Sequence, residues 1–406
     1  MTTLAGVRVL DLSRVFSGPW AAQMLADFGA DVIKVERPGR GDDVRQQGIR
    51  MKDGQGAESS ETSSFLAMNR GKRSITIDMS QPAGQELVRE LAARSDILIE
   101  NFKAGDLARY GLDFASLSKV NPRLVYCSIS GFGQTGPYSH LPGYDPIFQS
   151  MSGLMSVTGH ADEEPGGGPM RVGFSVADIT AGFYAVSAIL AALRHRDMVS
   201  GEGQHIDLAL LDSQVAAISH VAMMYLVSGK QPPRLGNASP ITCPWQSFEC
   251  SDGEIVVAVG NDSQFAAFCK VLGAPALASD ERFLTNPLRA RNRLDLVPIL
   301  AAILRTRAVR QWHEEFDAAG VPSGPINGFA EVFEDPQIAH REMLMDLPHA
   351  RIGKVPQVAN PVRFSGTPIE YRRAPPLLGE HTAEVLREVL DIDDTRLAQL
   401  QQAKAI

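Results

Sequence analysis

The sequence shows no run of apolar residues approaching the roughly 18 to 20 needed to cross a bilayer, so no membrane association is expected. Cysteine is scarce. Cys127, Cys243, Cys250 and Cys269 form no C-x-x-C pair and have no histidine cluster at zinc-ligand spacing, which excludes the familiar zinc motifs and leaves reduced, structural thiols. A surplus of positive charge is also lacking: the formal net charge is −8, which opposes nonspecific binding to nucleic acid or to anionic lipid. No nucleic-acid partner is expected. No G-x-G-x-x-G follows the first strand-like segment, which counts against a nicotinamide dehydrogenase. The opening residues lack the charged, apolar and small-residue succession of a signal peptide, so a cytoplasmic location is expected.

What is present is ordinary globular material, with 44% hydrophobic and 21% charged residues in 406. That length supplies one large or two moderate domains, enough for a buried site. Residues 7–12 read as a strand, 19–28 as a helix and 31–35 as a second strand, the order of a right-handed crossover in a parallel sheet. Helix over 83–94 and strands over 97–100 and 124–130 continue the alternation, followed by a long apolar helix over 178–196 that closes in basic residues. The passage 229–244, rich in Pro and Gly, reads as a linker or loop, and two strands flank the turn 251–254. Short strands over 357–364 and a helix over 382–389 complete the tail. The expected fold class is α/β. A large Rossmann-like domain takes residues 1–225, a smaller α/β domain takes 226–330, and residues 331–406 return to the large one.

Asp178, in the stretch Val176-Ala177-Asp178-Ile179-Thr180-Ala181-Gly182, has two readings. As a carboxylate at a helix start it caps free backbone N–H groups. The same amides favour a carboxylate nucleophile and stabilise a neighbouring oxyanion. Both readings require the same residue type, and the residues alone leave the choice open.

The chain resembles the class III (CaiB/BaiF-type) CoA-transferase family. The resemblance is carried by Gly6-Val7-Arg8-Val9-Leu10-Asp11, Ser17-Gly18-Pro19, Gly29-Ala30-Asp31, Asn69-Arg70-Gly71-Lys72, Glu100-Asn101-Phe102, Gly143-Tyr144-Asp145, Gly203-Gln204-His205-Ile206-Asp207 and Gly379-Glu380-His381-Thr382. These motifs run in order over essentially the whole chain. The resemblance implies that Asp178 attacks an acyl-CoA thioester, forming a mixed anhydride and then an aspartyl-CoA thioester. It also implies an interlocked homodimer with active sites near the domain junction. Coenzyme A enters as substrate, and no tightly bound cofactor or metal is expected.

Within that resemblance, Val15, Ser17, Arg37, Lys72, Asn101, Phe102, Arg109 and Tyr144 take the positions that contact CoA. Phe16 stands where formyl-CoA transferases carry Gln, and residues 235–240 differ from their tetraglycine loop, so formyl transfer is disfavoured. Tyr144 replaces the histidine of the α-methylacyl-CoA racemases, and a phenol is the poorer base at neutral pH. The resemblance is strongest to members that act on succinate and on hydroxymethylglutarate or glutarate. Succinyl-CoA is therefore the expected donor and a small dicarboxylic acid the expected acceptor. Phe16, Arg14, Arg45, Arg70 and Arg171 are the candidates for holding the acid, the arginines through its distal carboxylate. Two rivals are a racemase, which would exchange an α-proton without an acceptor acid, and a non-catalytic acyl-CoA-binding protein.

Overall fold

The computed structural model describes residues 1–406, which divide into two compact units. The first unit comprises Met1–Ser152, Gly173–Ile218 and Pro336–Ile406. The second comprises Gly153–Val172 and Ser219–Asp335.

Six parallel strands form the centre of the first unit: β1 (Arg8–Asp11), β2 (Asp31–Glu36), β3 (Lys72–Thr76), β4 (Ile97–Glu100), β5 (Val125–Ser130) and β6 (His205–Ala209). Their spatial order is β3-β2-β1-β4-β5-β6. That order reverses between β1 and β4, the position at which doubly wound sheets open a ligand crevice beyond the carboxyl ends of their strands. Helix α1 (Ser17–Asp27) makes the first crossover. It ends where the Gly29 and Ala30 N–H groups bond the Ala26 and Leu25 carbonyls, with Gly29 at φ 100°. This is a Schellman stop that turns the chain straight into β2. Helix α2 (Pro82–Ala93) buries Leu87, Val88 and Leu91 on one face of the sheet. The other face carries α1 and α4 (Val176–His195), whose Ala177, Ala181, Ala185 and Ile189 pack on Val9, Ile97, Ile99 and Val125.

Within the helical stretch Val176–Ser200 an 18-residue window has a mean hydropathy of 1.8, so the helix is long and apolar enough, by composition, to cross a bilayer. This corrects the reading that no such run exists. Alternating small and apolar residues along α4 supply the buried side of a core helix, and that packing accounts for much of the pattern.

The tail is tied into the first unit by buried charge. Arg70 makes a two-pronged pair with Asp27 at 2.9 and 2.7 Å and donates to the Val358 carbonyl, while Asn360 also donates to Asp27. Thr382 caps the Thr76 N–H, and Arg73 reaches Glu388 at 2.8 Å. The tail's strand pair is Leu344–His349 with Gly353–Val358. The strand expected over 357–364 stops at Val358, since Pro361 carries no N–H for a ladder. A last helix, Asp394–Gln402, follows an Asp393 cap and is absent from the sequence reading.

In the second unit, β7 (Trp245–Glu249), β8 (Glu254–Ala258) and β9 (Ser323–Pro325) form an antiparallel sheet over a core of Phe265, Phe268, Trp312 and Phe316. Residues 153–172 belong here and not with the residues that precede them. The Gly236 N–H bonds the Gly159 carbonyl, and Arg234 bonds the Ser156 carbonyl and pairs with Asp162.

Asp27→Ala leaves the Arg70 guanidinium buried without its partner. It is expected to lower unfolding stability by about 3–5 kcal/mol, as measured by urea denaturation.

Candidate active site

The loop after β1 is built on buried charges. Asp11, the last residue of β1, accepts from the Ser13 N–H at 3.0 Å and from the Ser13 hydroxyl, and it pairs with Lys72 at 3.0 Å. Lys34, on the neighbouring β2, donates to the Ser13 carbonyl and pairs with Asp42, both at 2.9 Å. Asp42 in turn accepts from the Val15 and Val44 N–H groups. These bonds hold Val15 at φ 69°, a conformation that a β-branched residue adopts only when its surroundings impose it. The turn at Val15 brings the chain into α1 at Ser17.

Burial alone pushes the Asp11 carboxyl up, but Lys72 and Lys34 outweigh it and hold the group below its ordinary range. Burial likewise pushes Lys72 down to about 8, against the pull of Asp11.

Asp178 lies in the first turn of α4, facing the start of α1. The approach is possible because residue 182, one turn further on, is glycine: a Cβ there would lie 2.9 Å from Trp20 and 3.2 Å from the Ser17 carbonyl. Burial, reinforced by the neighbouring Asp145 carboxylate, raises the Asp178 pKa to about 7, while the hydroxyl and N–H of Ser17 pull the other way. Asp145 accepts from the Ala177 N–H at 2.8 Å and so caps α4 from outside. The capping role that the sequence offered to Asp178 is thus performed by Asp145. Asp145 begins helix α3 (Asp145–Met151) and is also held by Gln149.

Asp178 borders two cavities. One, of 220 Å³, lies at the switch point beyond β1, β4 and β5 and is lined by Val15, Ser17, Asn101, Phe102 and Tyr144, with Arg14 and Lys103 as its cations. Asn101 straps its two walls together, accepting from the Arg14 N–H at 2.9 Å and donating to the Arg14 carbonyl at 2.6 Å. The other cavity, of 520 Å³, is lined by Phe16, Arg40, Gln46, Gln47, Tyr144 and Asp145. A third, of 370 Å³, adjoins Arg14 and Phe102 and gathers Arg37, Arg40 and Arg109. Tyr144 is 74% exposed and borders both cavities at Asp178.

Four of the cations named from the sequence lie elsewhere. Lys72 is fully buried, and its three protons go to Asp11, Asn69 and the Pro19 carbonyl, so none remains for a phosphate. Arg45 is spent on Glu36, Glu61 and the Pro376 carbonyl, and Arg70 on Asp27 and Val358. Arg171 is an exposed residue of the second unit that bonds the Val172 carbonyl. Sequence reasoning missed Asp145, Arg40, Gln46 and Gln47 as lining residues, and Lys34 and Asp42 as the supports of the loop. Asp145 lies inside the Gly143-Tyr144-Asp145 motif, but only the fold shows what its carboxylate bonds. No group of three or more His, Cys, Asp or Glu side chains is arranged to hold a metal ion.

The model of CoA-transferase family III matches residues 4–382. A succinate–glutarate CoA-transferase of Agrobacterium fabrum is 48% identical over 392 residues, 97% of either chain. A succinyl-CoA:glutarate CoA-transferase of Mus musculus is 42% identical over 400 residues, 98% of this chain and 89% of the mouse protein. The crystal structure of a CAIB/BAIF family protein from Brucella suis superposes with a TM-score of 0.84 at 44% identity, covering 96% of this chain and 99% of that one.

Gly182→Val forces α1 away from α4 and withdraws the Ser17 donors from Asp178. The expected outcomes are a stability loss of about 1–3 kcal/mol in urea and an Asp178 carboxyl that titrates above its wild-type position by NMR.

Proposed function

The chain belongs to CoA-transferase family III, and from that premise we propose that it moves coenzyme A from succinyl-CoA to glutarate or a similar small dicarboxylic acid, with Asp178 as the nucleophile. The observation that carries this reading is the partly buried Asp178 carboxylate, which borders two cavities at the switch point of the sheet, with a chain of arginine-lined space leading to it. The names of the Agrobacterium fabrum and mouse relatives supply the donor and acceptor.

In the proposed reaction the ionised Asp178 attacks the thioester carbonyl of succinyl-CoA. The C–S bond breaks, leaving an aspartyl–succinyl anhydride and CoA thiolate. The thiolate then attacks the aspartyl carbonyl, releasing succinate and leaving an aspartyl-CoA thioester. The acceptor carboxylate attacks that thioester, and the thiolate released finally takes the acceptor's acyl carbon, which frees Asp178. Each tetrahedral intermediate carries an oxyanion beside the first N–H groups of α1, where backbone dipoles favour negative charge. Water would intercept the anhydride, so a narrow cleft is part of the chemistry.

Arg37, Arg40 and Arg109 suit the phosphates of the nucleotide end, since guanidinium groups bind phosphate oxygens in pairs. The pantetheine arm would then run past Phe102 and Asn101 to Asp178, beside Val15, Ser17 and Tyr144. Arg14 and Arg40 are the guanidinium groups that share a cavity with Asp178, which favours them over Arg45, Arg70 and Arg171 for the acid's distal carboxylate. Phe16 shares Arg40's cavity and would pack on the acid's methylene chain. A homodimer is part of the same reading, because α4 leaves the aromatic rings of Phe183 and Tyr184 exposed.

Succinyl-CoA incubated with a series of mono- and dicarboxylates, with products identified by mass, is expected to give glutaryl-CoA. Asp178→Ala should lower turnover by about a thousandfold or more. Retained turnover in that variant, or hydroxylamine trapping at another residue, removes Asp178 as nucleophile. Because the carboxylate and not the acid attacks, the rate should rise with pH through about 7, the position to which burial moves Asp178.

A further inference from the structure

We propose that Glu100 is a positioning residue for the thioester cleft: its carboxylate clamps the wall formed by residues 101–104, and it exchanges its proton with solvent through Ser128 and His205. The proposal rests on the reading of that cleft as the CoA site.

Glu100 ends β4 and is 5% exposed. Its Oε2 accepts from the Phe102 N–H at 2.8 Å, which fixes the chain at the point where Asn101 straps the wall to Arg14 and the Phe102 ring lies 4.7 Å beneath the Arg14 guanidinium. The link continues through Val15 and Ser17 to Asp178. Glu100 therefore stands behind the cleft, on the far side of its wall, and touches neither the proposed substrate path nor the nucleophile.

A fourth cavity, of 270 Å³, opens on this rear side and is lined by Glu100, Ser128, His205, Asp113 and Lys103. The register of the sheet sets Glu100 opposite Ser128 on β5, and His205 starts β6 on the sheet edge. The Ser128 hydroxyl serves Glu100 on one side and lies 2.9 Å from the His205 Nε2 on the other. His205 is itself exposed and stacks on Phe114 at 5.3 Å. A solvent proton taken up at His205 Nδ1 lets the Nε2 proton pass to the Ser128 oxygen and the Ser128 proton pass to Glu100. His205 is left in its other neutral tautomer, and the total charge rises by one on Glu100.

The charged and titratable groups around Glu100 come from its own loop, the segment after it and the strands β5 and β6. Lys103 and Asp106 lie on its own loop and Asp113 on the following segment; Tyr126 and Cys127 come from β5, and His205 and Asp207 from β6. Burial first, then Asp106 and Asp207, push Glu100 up to about 7, against the Ser128 and Phe102 donors. Burial also lowers His205, partly offset by Asp207, so the relay imidazole is neutral where Glu100 titrates. In its ionised form Glu100 is an acceptor only and holds the Phe102 N–H. When protonated it turns its hydrogen toward Ser128 and weakens that hold.

Backbone hydrogen exchange of the 101–104 segment, corrected for intrinsic rate, tests the clamp without needing turnover. Glu100→Gln, which mimics the protonated acid, should speed exchange there about tenfold at pH 8, the change expected when a charge-assisted bond becomes a neutral one. In the wild type the same speeding should appear as pH falls below about 7, and it should be absent in the variant. CoA affinity by calorimetry should follow the same pattern: it weakens with acid in the wild type and shows a smaller slope in Glu100→Gln. Ser128→Ala, which keeps the carboxylate but removes a donor that favours its ionised form, should move the wild-type transition to higher pH. Exchange and CoA affinity identical in wild type and both variants across that range overturn the proposal. An exchange response in a chain that binds no CoA upholds the clamp and removes the reading of the cleft beneath it.

Discussion

The ammonium group of Lys34 is the interaction on which the site depends most directly. Fully buried on β2, it reaches the Ser13 carbonyl and the Asp42 carboxylate at once, and so joins the end of one strand to the loop that follows the next. Without it, Asp42 would be an uncompensated buried carboxylate, a state that costs several kcal/mol. Asp42 is also what holds the Val15 N–H in a left-handed turn. The sheet thus supports a strained loop with charge, and the strained loop aims the start of a helix. Neighbouring Asp11–Lys72 and Glu36–Arg45 pairs extend the same network, each carboxylate held ionised by a cation against the cost of burial.

On that platform, two helices meet at one carboxyl group. α4 brings Asp178 in its own first turn, and α1 brings the Ser17 hydroxyl and N–H from the opposite direction. The glycine at 182 permits the contact, and Asp145 occupies the α4 N–H that would otherwise draw Asp178 back on its own helix. The outcome is a carboxylate poorly solvated yet supplied with donors, the combination that the proposed nucleophile calls for.

Much of this architecture is legible in the sequence. The runs at 31–35, 97–100 and 124–130 are apolar because parallel strands are covered on both faces, and the 19–28 and 83–94 segments repeat at helical spacing because one face of each packs on the sheet. The Asp178 position is legible through its motif. What is not legible is which cations face inward. Lys72, Arg45 and Arg70 are the same residue types as Arg14 and Arg40, and only long-range partners such as Asp11, Glu36 and Asp27 commit them to the interior. Residues 153–172 likewise carry no local sign that their partners lie near Arg234 and Gly236. The helix over 394–402 has a modest apolar face, Leu397 and Leu400, which short-range patterning does not separate from a polar tail.

The Asp27 carboxylate has its last partner 333 positions away, at Asn360. A ribosome delivers residues at about 5–20 per second, so the N-terminal strands spend many seconds as a sheet whose seam to the tail is still missing. During that interval the second unit, complete within Asp335, is free to condense first. The Asp27–Asn360 seam between the start and the end of the chain can therefore close only after the whole second unit has been made.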